Sequence, residues 1–326
     1  MKKHLISLSF LSVVLLFVIT SGNGIAKTLT IELNWFPEVD DGGIYQAVAE
    51  GLYKKSGFNV KVVPGGEKPN GQIQLASGKY DFYTGSEMGI IRAYKEGLPV
   101  EAVAALLQKP LTAIITHNNI NSLNQLKGQT ILVSATGRFS YWPWLRNKYG
   151  LANSQRRPYL GSVGPFLDDK NIAQQGYITY EPYIIKKHGV KCKTFLLSDY
   201  GLPGQGELLE TNKDFAKNHP LLVEKFVADT IQGYKDYIKN PEPGNNLIHA
   251  AYPSVSIDTL DYGSKILNKN CIITGKSCSI SSVGILNNKE WKSVYEFMLK
   301  WKILDGPTNY LGAYTTRFLP KLKSHT

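Results

Sequence analysis

The chain is 326 residues long, 43% hydrophobic and 19% charged, with a formal net charge of +11. That length is more than most single hydrophobic cores carry, so two structural units are expected, and the absence of a fixed-period repeat or a low-complexity tract excludes repeat and low-complexity architectures. The basic residues are scattered in pairs such as Lys54-Lys55 and Lys186-Lys187, with no run of five, which argues for a solvated basic surface and no nucleic-acid partner.

Residues 1–26 read as a cleavable signal peptide. Lys2, Lys3 and His4 make a basic start, residues 5–19 are almost unbroken apolar, and Gly24 and Ala26 supply the small residues of a cut before Lys27. The apolar run is shorter than the roughly 20 residues of a spanning helix. No cysteine follows it to carry a lipid. Removing Lys2 and Lys3 takes the net charge from +11 to +9, and the mature chain is expected to be soluble and exported.

From Lys27 onward the elements alternate. Residues 28–33 are β-rich and alternating, a first strand that ends in Trp35-Phe36-Pro37 on a loop. Gly42-Gly43 opens a helix to Lys55, with Ile44, Ala47, Val48 and Leu52 on one face and Gly57 as its stop. A second strand over 59–63 ends in Pro64-Gly65-Gly66. A short helix over 71–77, a strand over 80–84, a helix over 90–96 and strands over 100–107 and 111–116 follow. The pattern then restarts: strand 130–134, helix 141–149, an extended 158–161, helix 165–174, strand 176–179, a helix to His188 and strand 194–197. After Pro203 the chain reads as helical. The 220–238 helix carries a stripe of Leu222, Val223, Phe226, Val227, Ile231, Tyr234 and Ile238 that belongs in a core, and helices at 257–268 and 289–301 follow. Strand–helix alternation with short loops signals parallel α/β layers. Two such units predict a bilobed clamp that crosses between lobes near Thr116 and Gly201 and closes over a ligand by a hinge. Lobe 1 is assigned to 27–115 plus 202–326, and lobe 2 to 116–201.

The three cysteines are Cys192, Cys271 and Cys278. Cys271 and Cys278 lie seven apart in a Gly/Ser-rich stretch, a spacing that allows a local disulfide in an exported chain, with geometry deciding. No metal-binding spacing, no cofactor motif and none of GxSxG, HExxH or GxxxxGK[ST] is present, so the chain reads as a non-enzyme without a cofactor or metal.

Residues 33–66, the DFYTGSE segment at 81–87, VAALLQKP at 103–110, YWPWLRNKYG at 141–150 and QQGYITYEPYIIKKHGV at 174–190 carry a family resemblance. The chain resembles the substrate-binding proteins of ABC importers. Within them it is most similar to the branch that binds thiamine pyrimidine precursors and includes riboflavin-type and nitrate/taurine-type relatives. The resemblance implies a type II periplasmic-binding-protein fold of the α/β class: two lobes, each a mainly parallel sheet flanked by helices, with a ligand cleft between them. It also implies a monomer in the periplasm that delivers a small-molecule ligand to an ABC permease in the inner membrane. Two departures stand out. Many relatives carry a histidine before the glycine pair, where this chain has Asp41. A Thr-rich strand common after lobe two is replaced by GLPGQGELLETN. A fungal branch of the same fold makes the thiamine pyrimidine with closely spaced cysteines, which this chain lacks.

Candidate ligand-binding residues follow from strand ends, where open parallel sheets place their ligands. Trp35 and Phe36 would stack a flat ring, or else pack in the core. Tyr45 lies one turn into the next helix, on the cleft or on the lobe surface. Tyr83, Gly85, Ser86 and Glu87 follow the third strand; Gly85 permits close approach, Ser86 and Glu87 exchange hydrogen bonds, and Ser86 also reads as a helix N-cap. Gln108 lies near the first crossing. Ser134, Gly137 and Tyr141 stand at a lobe-two strand end. Tyr180 and Glu181 should face lobe one, Glu181 on the strength of its family position. A cleft with these carboxylates suits an amino-pyrimidine edge and disfavours a sulfonate or nitrate, for which Arg92 and Arg138 would be the partners.

Overall fold

A computed structural model describes residues 27–67 and 70–321; the expected signal peptide over 1–26 lies outside the described residues. The strands are β1 (Lys27–Glu32), β2 (Phe58–Val63), β3 (Phe82–Gly85), β4 (Val100–Ala105), β5 (Thr112–His117), β6 (Thr130–Val133), β7 (Arg156–Pro158), β8 (Ile172–Tyr177), β9 (Cys192–Leu196) and β10 (Leu208–Asn212). They form two five-stranded sheets, ordered β2-β1-β3-β10-β4 and β7-β6-β8-β5-β9. The sheets are built alike. In the first, β1 pairs in parallel with β2 and β3, and β10 runs antiparallel between β3 and β4. In the second, β6 pairs in parallel with β7 and β8, and β5 runs antiparallel between β8 and β9. Each antiparallel strand comes directly from the other unit, so each sheet is completed by the chain's crossing.

The first crossing lies between β4 and β5, a few residues before the expected Thr116, because Thr112 to His117 already pairs with β8 and β9. The second lies between β9 and β10. The two crossing segments run side by side: Leu106 N donates to Glu207 O at 2.8 Å and Leu107 N at 3.2 Å. Gly206 has φ of 99°, and a Cβ there would stand 2.6 Å from Lys109 O, so only glycine fits between the two segments.

Three sequence expectations change. The helix expected over 165–174 ends early, at Gly164–Asp168, because Ile172–Tyr177 is claimed as β8 by pairing on both sides. The stretch after Pro203 contains β10, whose central Glu210 is fully buried, so its polarity disguised it. The helix from the glycine pair is two, Gly42–Ala49 and Leu52–Lys55, parted at Gly51 with φ of 68°.

The glycine pair itself is a packing device. Helix Gly42–Ala49 lies on the long helix Pro220–Lys239, and a Cβ on Gly43 would stand 2.1 Å from the Tyr234 ring, one on Gly42 2.2 Å from Tyr237. Tyr234 Oη donates to Asp40 O at 2.5 Å and so pins the loop before the helix. Between the units, Trp144 on helix Trp142–Tyr149 meets Phe297 on helix Asn288–Lys300 with ring centroids 5.7 Å apart. Cys271 and Cys278 are joined in a disulfide and Cys192 is free. Among the described residues no helix is long and apolar enough to cross a membrane.

Candidate functional site

A cleft of about 380 Å³ opens between the two sheets. Its walls are the ends of the strands. From the first sheet come the loop after β1 with Asn34, Trp35 and Glu38, and the turn after β3 with Gly85, Ser86 and Glu87. From the second come the turn after β6 with Ser134 and Gly137, then Tyr141, Tyr159, and the end of β8 with Gln175, Tyr177 and Glu181.

Trp35 is half-buried and held at the cleft. Its carbonyl accepts from Gly65 N at 2.9 Å, its ring meets Phe36 edge-on at 5.4 Å, and its indole faces Gly161 of the other unit, whose Cβ would lie 3.5 Å away. Just before it, Asn34 N donates to Thr84 Oγ1 at 2.8 Å and Asn34 Nδ2 to Glu207 Oε1 at 2.8 Å. These bonds tie the loop to β3 and to the second crossing.

The opposite wall is a preset hydrogen-bond network. Gln175 Oε1 accepts from Ser134 N at 2.6 Å and from Tyr141 Oη at 2.7 Å. Ser134 Oγ caps its helix by accepting from Gly137 N at 3.0 Å. Glu181 accepts from Tyr159 Oη at 2.7 Å and Tyr177 N at 2.6 Å, which fixes both of its oxygens. Ser86 is also an N-cap, accepting from Gly89 N at 3.3 Å. Gly85 leaves room for the Glu210 carboxylate, which a Cβ would meet at 1.9 Å.

Carboxylates crowd this region. Glu38, Asp40, Asp41, Glu87, Glu181 and Glu207 are all buried. Burial pushes Glu38 well above the ordinary carboxylate range, and the neighbouring Asp40 and Glu181 push it further. Asp40 is raised to about 7 by burial, with Glu181 adding to it. Burial and then Glu207 raise Asp41; burial and then Asp40 raise Glu207; burial raises Glu181 against its two hydrogen bonds. Glu87, raised to about 7 by burial, accepts from Gln205 N and holds the second crossing in place. Arg92 also reaches the cleft, but its guanidinium is spent on Phe139 O of the other unit and on Ile303 O at 3.4 Å.

The structure brings Trp35, Tyr83, Gly85, Ser86, Glu87, Ser134, Gly137, Tyr141 and Glu181 to the cleft wall. Four expected residues stand elsewhere. Phe36 stacks on Tyr252 at 5.6 Å, behind the loop. Tyr45 is buried in the core under the first sheet. Gln108 donates to Ile285 O at 2.9 Å and accepts from Gln205 Nε2 at 2.7 Å, tying down the second crossing. Tyr180 packs against the first unit's core beside the cleft wall. Sequence reasoning did not single out Asn34, Glu38, Tyr159, Gln175 or Tyr177. For Gln175 and Tyr177 a signal existed in their place at the end of β8, which the sequence reading started at Gly176 and not at Ile172; for Tyr159 and Glu38 none was local.

The chain matches the family model described as NMT1/THI5 like over residues 39–243. It is 25% identical over 309 residues to the riboflavin-binding protein RibY of Chloroflexus aurantiacus, covering 90% of this chain and 86% of that protein. It is 26% identical over 234 residues to the formylaminopyrimidine-binding protein of Halalkalibacterium halodurans, covering 68% and 70%. A 4-amino-5-hydroxymethyl-2-methylpyrimidine phosphate synthase of Saccharomyces cerevisiae is 23% identical over 321 residues, covering 89% and 87%. Among solved structures, the ligand-binding component of an ABC-type import system from Staphylococcus aureus superposes with a TM-score of 0.67 at 12% identity, over 90% of this chain and 97% of that one, and shares the two-lobed periplasmic-binding-protein fold. With a family model spanning more than half of its length, the chain belongs to the NMT1/THI5-like family.

Proposed function

We propose that this protein is an exported receptor of an ABC importer that captures a small heteroaromatic ligand, of the thiamine-pyrimidine or similar vitamin-like kind, between two lobes. The lobes would meet at the crossings, with residues 27–105 and 208–321 in one and 112–196 in the other. The observation that carries the reading is the facing of Trp35, on the loop after β1, by the ordered polar wall of Gln175, Tyr177 and Glu181 across the cleft. An aromatic face opposite fixed acceptors and phenols is what a flat ring with a polar edge requires. The binding relatives in Chloroflexus and Halalkalibacterium support it, since both carry ring ligands in their names. The protein would act in the periplasm, as a monomer, with an inner-membrane permease as its partner.

A receptor for an alkyl sulfonate, taurine or nitrate is disfavoured by Glu38 and Glu181 in the wall and by the engagement of Arg92 with backbone carbonyls. A pyrimidine-forming enzyme, as the yeast relative is named, would need reactive cysteines; two of the three here form a disulfide. Thermal melts of the mature protein with formylaminopyrimidine, hydroxymethylpyrimidine, thiamine, riboflavin, taurine and nitrate test the proposal. A ligand at 100 times its Kd stabilises by about 2.7 kcal/mol. A shift with an anion alone would sink the stacking reading.

A further inference from the structure

Three carboxylate oxygens behind the cleft are buried without a hydrogen-bond partner: Glu38 Oε2, Asp40 Oδ1 and Glu207 Oε2. Glu38 is only 6% exposed, yet it lines the cleft. Among the described residues no ion pair reaches any of the three; Arg92, which also lines the cleft, is turned to Phe139 O and Ile303 O. A carboxylate buried without a partner is costly, and a mature chain of net charge +9 has cations to spare for one. Their absence at this place leaves the partner to the ligand.

Glu38 shares the cleft lining with aromatic residues. Trp35 is three residues before it, and Tyr159 donates to Glu181 Oε1 at 2.7 Å on the same lining. Trp35, Tyr159 and Tyr177 also line the cleft. Burial favours the protonated form of Glu38, and a cation seated beside it would draw it to the ionised form, with the aromatic rings that share the lining adding their quadrupoles. A neutral ring would use the stacking face but leave Glu38 Oε2 without a donor unless its edge supplied an N–H.

We propose that the cleft selects a heteroaromatic cation, a ring with a fixed or readily gained positive charge, seated on Trp35 with that charge against Glu38. The inference rests on the receptor reading above and narrows its ligand class. It assigns Glu38 the part of a specificity-determining residue.

A matched pair of probes tests it by titration calorimetry on the mature protein: 1-methylnicotinamide, a permanent pyridinium, against neutral nicotinamide. Thiamine, with its permanent thiazolium charge, against riboflavin repeats the comparison at larger size. The charged member should bind at least tenfold more tightly in each pair. Glu38→Gln should cut that preference to about threefold or less while the neutral member's affinity moves little. Glu38→Asp, which keeps the carboxylate, should keep most of the preference, which keeps the test open if Glu38→Gln folds poorly. Equal affinity within the pairs, or no detectable heat from the cations, overturns the inference. Binding of riboflavin alone overturns it and leaves the heteroaromatic reading standing. Tetramethylammonium bound as tightly as the ring cations would keep the charge and sink the ring. Heat from calcium alone would assign the carboxylates to a metal and overturn it.

Discussion

Trp35 stands out at the residue scale because it combines a strand-end position with a ring left half-exposed toward the cleft. Its neighbour Phe36 has the same chemistry and a different fate, packed on Tyr252. Sequence could not separate the two, since successive residues on a loop have no fixed alternation. Trp35→Ala should therefore weaken the true ligand by about 2 kcal/mol, roughly thirtyfold, from lost stacking and burial. Titration of the variant reads this directly, and unchanged affinity removes Trp35 from the site. Ser86 and Ser134 show the converse lesson. Both reach the cleft wall, but each spends its hydroxyl on a helix cap, as the sequence already suggested for Ser86. Glu181 likewise stands at the cleft with its oxygens engaged by Tyr159 and Tyr177 N, so its contribution to a ligand is through the wall it orders.

Among the elements, the glycine pair was legible as a helix start but not as a packing site. Gly43→Ala adds helix propensity of up to about 1 kcal/mol, yet its Cβ would stand 2.1 Å from the Tyr234 ring. Overpacking of about 1–3 kcal/mol wins, and the urea midpoint should fall. A rise in the midpoint would mean that the two helices part easily. The Cys271–Cys278 link closes a short loop, and the chain-entropy account gives it about 2.5 kcal/mol. Replacing both cysteines by serine should lower unfolding stability by up to that amount, measured in urea without reductant. The start of β8 and the whole of β10 were misread for one reason: each strand is specified by two neighbours far away in sequence, and each carries polar residues inward. Glu210 in β10 is buried over Gly85, and Gln174 in β8 is fully buried.

For the whole molecule, the buried carboxylates make stability depend on pH. Asp40 and Glu87 have folded values near 7, while in the unfolded chain such groups titrate near about 4. Through that interval the folded protein holds protons that the unfolded chain has lost. Stability should rise as the pH falls from about 8 toward 5 and level off below the unfolded values. Ligand-free thermal melts should give a higher Tm at pH 5 than at pH 8, and Asp40→Asn should flatten the difference. A Tm that falls over that interval would show that the carboxylates are compensated. The sequence by itself determined the α/β alternation, the doubling of that pattern and the aromatic loop at the first strand's end, because strand and helix periods are local and turn residues announce their limits. Only the tertiary structure decided that β5 and β10 are exchanged between the sheets, that the glycine pair meets two tyrosines, and that Glu38, Glu181 and Glu207 gather around one cleft. Those facts turn on pairing, burial and uncompensated charge between residues far apart in the sequence, which no local pattern records.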